Sequence, residues 1–131
     1  GSIDLTLSNE FRIFKKKSKI SVTEFSTYKD YTEPVKKNEI KLKPGEFING
    51  ITVENIKLPP NICGILTGRS KFARMGVLVH ATASFIQPGI NNRQVLEIKN
   101  ISKNTLILKP GIRICQLVLM ETKVKAEYSG R

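Results

Sequence analysis

Strand-length apolar runs, each closed by turn residues, leave this chain little room for anything but an all-β fold. Ile3-Asp4-Leu5-Thr6-Leu7 alternates with the period of two that turns one face of a strand toward a core, and Phe11-Arg12-Ile13-Phe14 does so in part. Further strand candidates are Ile40 to Leu42, Phe47-Ile48, Ile51 to Val53, Cys63 to Thr67, Val77 to His80, Val95 to Lys99, Leu106 to Leu108 and Ile112 to Leu119. Pro44-Gly45, Pro59-Pro60, Gln87-Pro88-Gly89 and Pro110-Gly111 punctuate them. Residues 15 to 39 are polar and lysine-rich; they read as a long loop with one short strand around Val22 to Phe25. A single helical turn fits after Arg69, ended by Gly76. Many short strands with one helical turn predict a sandwich or barrel. Leu-Lys-Pro-Gly occurs twice, at Leu42 to Gly45 and Leu108 to Gly111. It is either a common turn or a weak internal pseudo-repeat of the kind found in double-sheet jelly rolls.

A length of 131 residues suits one domain with one core. The net charge of +11 favours polyanionic partners such as nucleotides. Much of the excess sits in Lys15-Lys16-Lys17 with Lys19 and in Lys36-Lys37, runs without interleaved aromatics that read as solvated surface. Nucleic acid is therefore not the expected partner. Cys63 and Cys115 each lie in an apolar run and read as buried free thiols of a reducing compartment. His80 is the only histidine, so a histidine-based metal centre has at most one candidate. No run approaches the roughly 20 apolar residues of a membrane-spanning helix. No secretory pattern is present, and the expected location is cytoplasmic.

The segment Gly68-Arg69-Ser70-Lys71-Phe72-Ala73-Arg74-Met75-Gly76 carries the chemistry. Backbone N–H groups at the start of a helical turn favour an anion. Arg69 can fork onto phosphate oxygens. Ser70 and Arg74 are four apart and share one face of the turn. A later strand delivers a lone carboxylate, Glu97, to the same region. A nucleotide with a phosphate tail is the ligand these residues propose.

Several blocks, in this order, resemble the dCTP deaminase branch of the dUTPase superfamily. They are Ser2-Ile3-Asp4-Leu5, Gly68 through Val77, Val79-His80-Ala81-Thr82-Ala83, Ile86-Gln87-Pro88-Gly89, Gln94 through Asn100, and Pro110 through Leu117. The resemblance implies a distorted jelly-roll, β-clip-like dUTPase fold with one short helix. It further implies a homotrimer with active sites between subunits, and hydrolysis of dCTP to dUTP and ammonia without a protein-bound metal. Mg²⁺ would arrive on the triphosphate. By position, Glu97 matches the general base, Ser70 and Arg74 hold the water and the C4 region, and the Ala83 carbonyl is a further water ligand. Arg69 matches a phosphate contact, Gln116 lies near the phosphate end, and Lys71 stands where many relatives have a second serine. His80, Gln94 and Val95 are further nucleotide-binding candidates in the matching blocks. Arg93 is open between a surface charge and a triphosphate contact.

Gln87 departs from the pattern. dUTPases carry an aspartate there that activates water toward the phosphate chain, and glutamine has no basic carboxylate for that work. The expectation is a single domain over residues 1–131, with the family's N-terminal helical segment and C-terminal closing tail outside it. Three other readings stay open: a dUTP pyrophosphatase, a non-catalytic nucleotide-binding or regulatory module of the same fold, and, last, a nucleic-acid binder.

Overall fold

The alternating runs form ten strands and one helical turn in the computed structural model, which describes residues 2–15, 19–80 and 85–123. The strands are β1 (Ser2–Phe14), β2 (Thr32–Lys36), β3 (Ile40–Leu42), β4 (Phe47–Lys57), β5 (Ile62–Gly68), β6 (Val77–His80), β7 (Phe85–Ile86), β8 (Asn91–Asn100), β9 (Leu106–Leu108) and β10 (Arg113–Glu121). The helical turn α1 spans Ser70–Ala73. Among the described residues no helix is long and apolar enough to cross a membrane.

The strands hydrogen-bond in the order β6-β8-β4-β1-β10-β5-β7, with β2 also on β1, and β3 and β9 form a separate ribbon. One strand serves both halves of this curled sheet. Residues 2–6 of β1 pair with β10, and from Leu7 onward it pairs with β4 and β2. The register slips between Leu5 and Thr6, as at a bulge that redirects a strand. The core between the two halves is aliphatic: Leu5, Leu7, Leu96, Ile98 and Ile114 have no exposed surface. The sheet curls far enough that Gly68, at the end of β5, abuts β6. A Cβ on Gly68 would stand 3.0 Å from the Val79 carbonyl oxygen.

Glu54 fixes the slip in β1. One carboxylate oxygen accepts the Thr6 backbone N–H at 2.8 Å and the other accepts the Thr6 hydroxyl at 2.8 Å. A second buried anchor ends β8. The Asn100 amide donates to the carbonyls of Leu42 and Asn104, and its oxygen accepts the Ser102 N–H and hydroxyl. The β3–β9 ribbon puts the two Leu-Lys-Pro-Gly copies in symmetric positions, since Ile40 faces Leu108 and Leu42 faces Leu106. Both copies run into a glycine with positive φ, Gly45 at 82° and Gly111 at 98°, where an L side chain is strained. The repeat is thus a pair of equivalent turns on one ribbon.

Two expectations are corrected. Val22 to Phe25 is not a strand: it forms a tight turn in which the Ser26 N–H reaches the Thr23 carbonyl and the Thr23 N–H reaches the Ser26 hydroxyl. Val22 and Phe25 stand 87% and 93% exposed, so no sheet face rewards the apolar residues, and local hydroxyl bonds take the backbone instead. The strand in this region lies later, at Thr32–Lys36. The two strand candidates before residue 15 are one strand, as are the two between Phe47 and Val53.

Burial acts most strongly on the Glu54 carboxyl and pushes its pKa up, but the Thr6 bonds and the nearby Arg113 together hold it below the ordinary 4.5. A depressed folded-state pKa contributes stability that is present above the unfolded value and lost as pH falls through the folded value. Glu54→Gln is therefore expected to destabilise the protein by about 2 kcal/mol at pH 7. In denaturant melts the difference from the parent should narrow below about pH 4 as the parent's carboxylate takes up its proton.

Candidate active site

The α1 turn is held from both sides. Arg69 precedes it in extended conformation, the Ala73 N–H bonds to the Arg69 carbonyl, and the Arg74 N–H bonds to the Ser70 carbonyl at 3.0 Å. Ser70, Lys71 and Arg74 are exposed, and Ser70 and Arg74 flank one turn as their spacing predicts. A four-residue helix sums few peptide dipoles, so anion binding here rests on the cationic and hydroxyl side chains more than on a macrodipole. Arg69 is half-buried. Its guanidinium donates to the Arg113 carbonyl at 2.9 Å and lies 5.6 Å from the centre of the Phe72 ring. Gln116, half-buried on β10, stands in register between Asp4 of β1 and Thr67 of β5, three residues before Ser70.

Glu97 lies on the outward face of β8. Leu96, Ile98 and Asn100 point into the core, while Val95, Glu97 and Lys99 alternate to the other side, with Glu97 half-buried. β8 runs between β6 and β4, and Glu97 pairs with His80 on one flank and Asn49 on the other. Asn49 in turn pairs with Arg12 of β1. Arg12, Asn49, Glu97 and His80 therefore form one row across four strands. Opposed residues on such a row have Cβ atoms about 5 Å apart. The α1 turn leads straight into β6, and Val79, which Gly68 touches, pairs with Ile98 beside Glu97. Chain connectivity thus brings the Ser70–Arg74 turn to the edge of the same half-sheet that carries Glu97.

The other expected residues fall as follows. Ala83 lies outside the described residues, and of His80 only the backbone pairing is described. Val95 is exposed beside Ile51, two residues from Glu97 on the same face. Gln94 uses its N–H on the Thr52 hydroxyl and its amide on Asn92. Arg93 is committed within the fold: its Nη2 meets the Glu10 carboxylate at 2.7 Å, and its Nε donates to the Thr52 carbonyl. The hydrogen bond from Arg93 and its charge hold the Glu10 carboxyl below its ordinary pKa.

Arg12 and Asn49 escaped the sequence reading. Asn49 sits in Phe47-Ile48-Asn49-Gly50-Ile51, where one polar residue between apolar neighbours was the available signal. Arg12 is anchored: it donates to the Thr32 hydroxyl and carbonyl and lies 5.9 Å from the centre of the Tyr28 ring.

The cysteines offer no nucleophile. Both are buried free thiols. Burial, with the negative charges of Glu54 and Asp4, pushes the Cys115 thiol up to about 12. Native protein treated with a thiol reagent at pH 8 is expected to leave Cys115 unmodified, and unfolding in guanidinium should expose it to rapid labelling, read by mass spectrometry.

Comparison with known proteins agrees with this architecture. The dCTP deaminase-like family profile matches residues 1–122. A protein of Dictyoglomus thermophilum named dCTP deaminase, dUMP-forming, is 38% identical over 97% of this chain and 68% of its own length. A dCTP deaminase of Natronomonas pharaonis is 36% identical over 97% of this chain and 68% of its own length. Among solved structures, the 2'-deoxycytidine 5'-triphosphate deaminase of Agrobacterium tumefaciens superimposes with a TM-score of 0.69 at 18% identity, over 90% of this chain and 38% of that one. The native dUTPase of EIAV gives 0.56 at 24% identity, over 71% of this chain and 76% of its own.

Proposed function

The chain belongs to the dCTP deaminase-like family, and from that premise we propose that it hydrolyses dCTP to dUTP and ammonia. The observation that carries the reading is the placement of Glu97: half-buried, in register with His80, on the half-sheet into which the Ser70–Arg74 turn leads.

In this reading Glu97 takes a proton from a water that attacks C4 of the cytosine ring. As the C4–O bond forms, the carboxyl passes that proton to ring N3; it then carries the hydroxyl proton to the amino group as the C4–N bond breaks, leaving C4=O and releasing ammonia. Ser70 and Arg74 hold the water and the ring near C4, with the Ala83 carbonyl as a further water ligand. Arg69, Lys71 and Gln116 take the phosphates; His80, Gln94 and Val95 contact the nucleoside portion. The side chains around α1 are cations and hydroxyls, a donor set suited to phosphate oxygens rather than to a metal ion. Mg²⁺ in this reading rides on the triphosphate, where it offsets phosphate charge. The protein works in the cytoplasm as a homotrimer. Outward-facing Phe47 and Leu78, each about two-fifths exposed on this half-sheet, support an apolar contact between copies. Sedimentation should give three times the mass of the 14.7 kDa chain.

A second reading, conversion of dCTP to dUMP, is favoured by the names of several relatives. Against it stands Gln87, an exposed amide before Pro88 with no carboxylate to activate a second water. Incubation with Mg·dCTP, and separately with Mg·dUTP, followed by separation of nucleotides distinguishes the readings. We expect dUTP and ammonia from dCTP and no turnover of dUTP; dUMP with pyrophosphate would establish the second reading. Glu97→Gln is expected to lower kcat by about 10²-fold or more while the variant still binds nucleotide.

A further inference from the structure

Asn49 is a residue of the cross-strand row for which the described fold supplies no side-chain partner. It is only 7% exposed. Among the described residues its carboxamide makes no hydrogen bond, although Arg12 beside it makes three. A largely buried amide without a protein partner gains less from folding than a leucine of similar size would. Its polar atoms are not sealed in protein. Asn49 lines a cavity of about 250 Å³ together with Phe11, Arg12, Tyr28, Ile51 and Val95. Glu10 and Lys29 line it too, so apolar and aromatic walls stand beside a few polar groups, a composition that suits a flat heteroaromatic ring.

We propose that Asn49 is a specificity-determining residue: its carboxamide hydrogen-bonds the edge of the pyrimidine ring next to the carbon on which Glu97 acts. This rests on the deaminase reading above. The geometry supporting it is the register, which sets Asn49 directly opposite Glu97 on the same face. A base held over that pair has its ring N3 edge adjoining C4. Cytosine offers an acceptor at N3 and a donor at the amino group. Uracil offers the reverse, a donor at N3 and an acceptor at O4. A carboxamide has both a donor and an acceptor, and half a turn of its last torsion presents either order. Asn49 therefore grips substrate and product alike, and excludes rings without a hydrogen-bonding edge. A carboxylate at the same place accepts only; it matches the N3–H of uracil and opposes the lone pair at N3 of cytosine.

The test compares Asn49→Leu and Asn49→Asp in a Glu97→Gln background, so that nucleotide is not consumed. Calorimetry with Mg·dCTP and Mg·dUTP gives the two dissociation constants for each protein. Asn49→Leu should weaken both nucleotides by about the same factor, near tenfold. Asn49→Asp should move the ratio of the two constants about tenfold toward dUTP. Using the ratio cancels the general repulsion that an added negative charge exerts on any triphosphate. A purely structural Asn49 would instead leave the ratio unchanged in both variants, and that result overturns the proposal. Should Asn49→Leu fold poorly by circular dichroism, the near-isosteric Asn49→Asp ratio decides alone. A Glu97→Gln parent that binds neither nucleotide removes the deaminase reading and this inference together. A parent that binds both, with an Asn49→Asp ratio that does not move, removes only the inference.

Discussion

Everything on the candidate site's half of the molecule depends on a carboxylate that lets one strand belong to two sheets. β1 leaves β10 at Thr6 and joins β4 at Leu7, and a slip of this kind strands backbone groups that neither neighbour can pair. Glu54 accepts both Thr6 donors, so the slip occurs at a fixed residue. Past a second irregularity between Leu7 and Phe11, the strands align in one row: Arg12 meets Asn49, Asn49 meets Glu97, and Glu97 meets His80. A slip of one residue would turn every one of these side chains into the core and bring the core residues out. The Asn100 amide fixes the far end of β8 in the same manner, so Glu97 sits between two pinned points.

The strands were legible because alternation is a local property. Leu5 and Leu7, or Leu96 and Ile98, declare their inward face within a few residues. Strand length was less legible. β4 reads as two pieces because Asn49, Gly50 and the bulge near Thr52 interrupt its apolar period, and the bulge becomes visible only against β8, whose register shifts there. The failure at Val22 to Phe25 has the opposite cause. Its composition suits a strand, but a strand needs a neighbour, and Thr23 and Ser26 bond to each other first.

Of the site, the residues close together in sequence were readable. Arg69, Ser70, Lys71 and Arg74 share one turn, and Glu97 stood out as an acid between two buried aliphatics. Arg12 and Asn49 were not readable because their relation to Glu97 is a matter of strand pairing across 37 and 48 intervening sequence steps, which no local pattern encodes. Arg93 shows the same limit: as a charge near a turn it suited a phosphate contact, yet Glu10, far away in sequence, already holds it.

Gly76 closes the α1 turn at φ 94°, and a Cβ there would collide with Ser102 at 2.6 Å. The Ile101 N–H also bonds to the Gly76 carbonyl. The turn bearing Ser70 and Arg74 is thereby seated on the 101–104 bend, the surface stretch that directly follows the strand carrying Glu97. That bend is an abutment whose volume limits how closely the turn carrying the arginine and the serine can settle. On the proposed reading, a loop replacement there would alter chemistry from a distance.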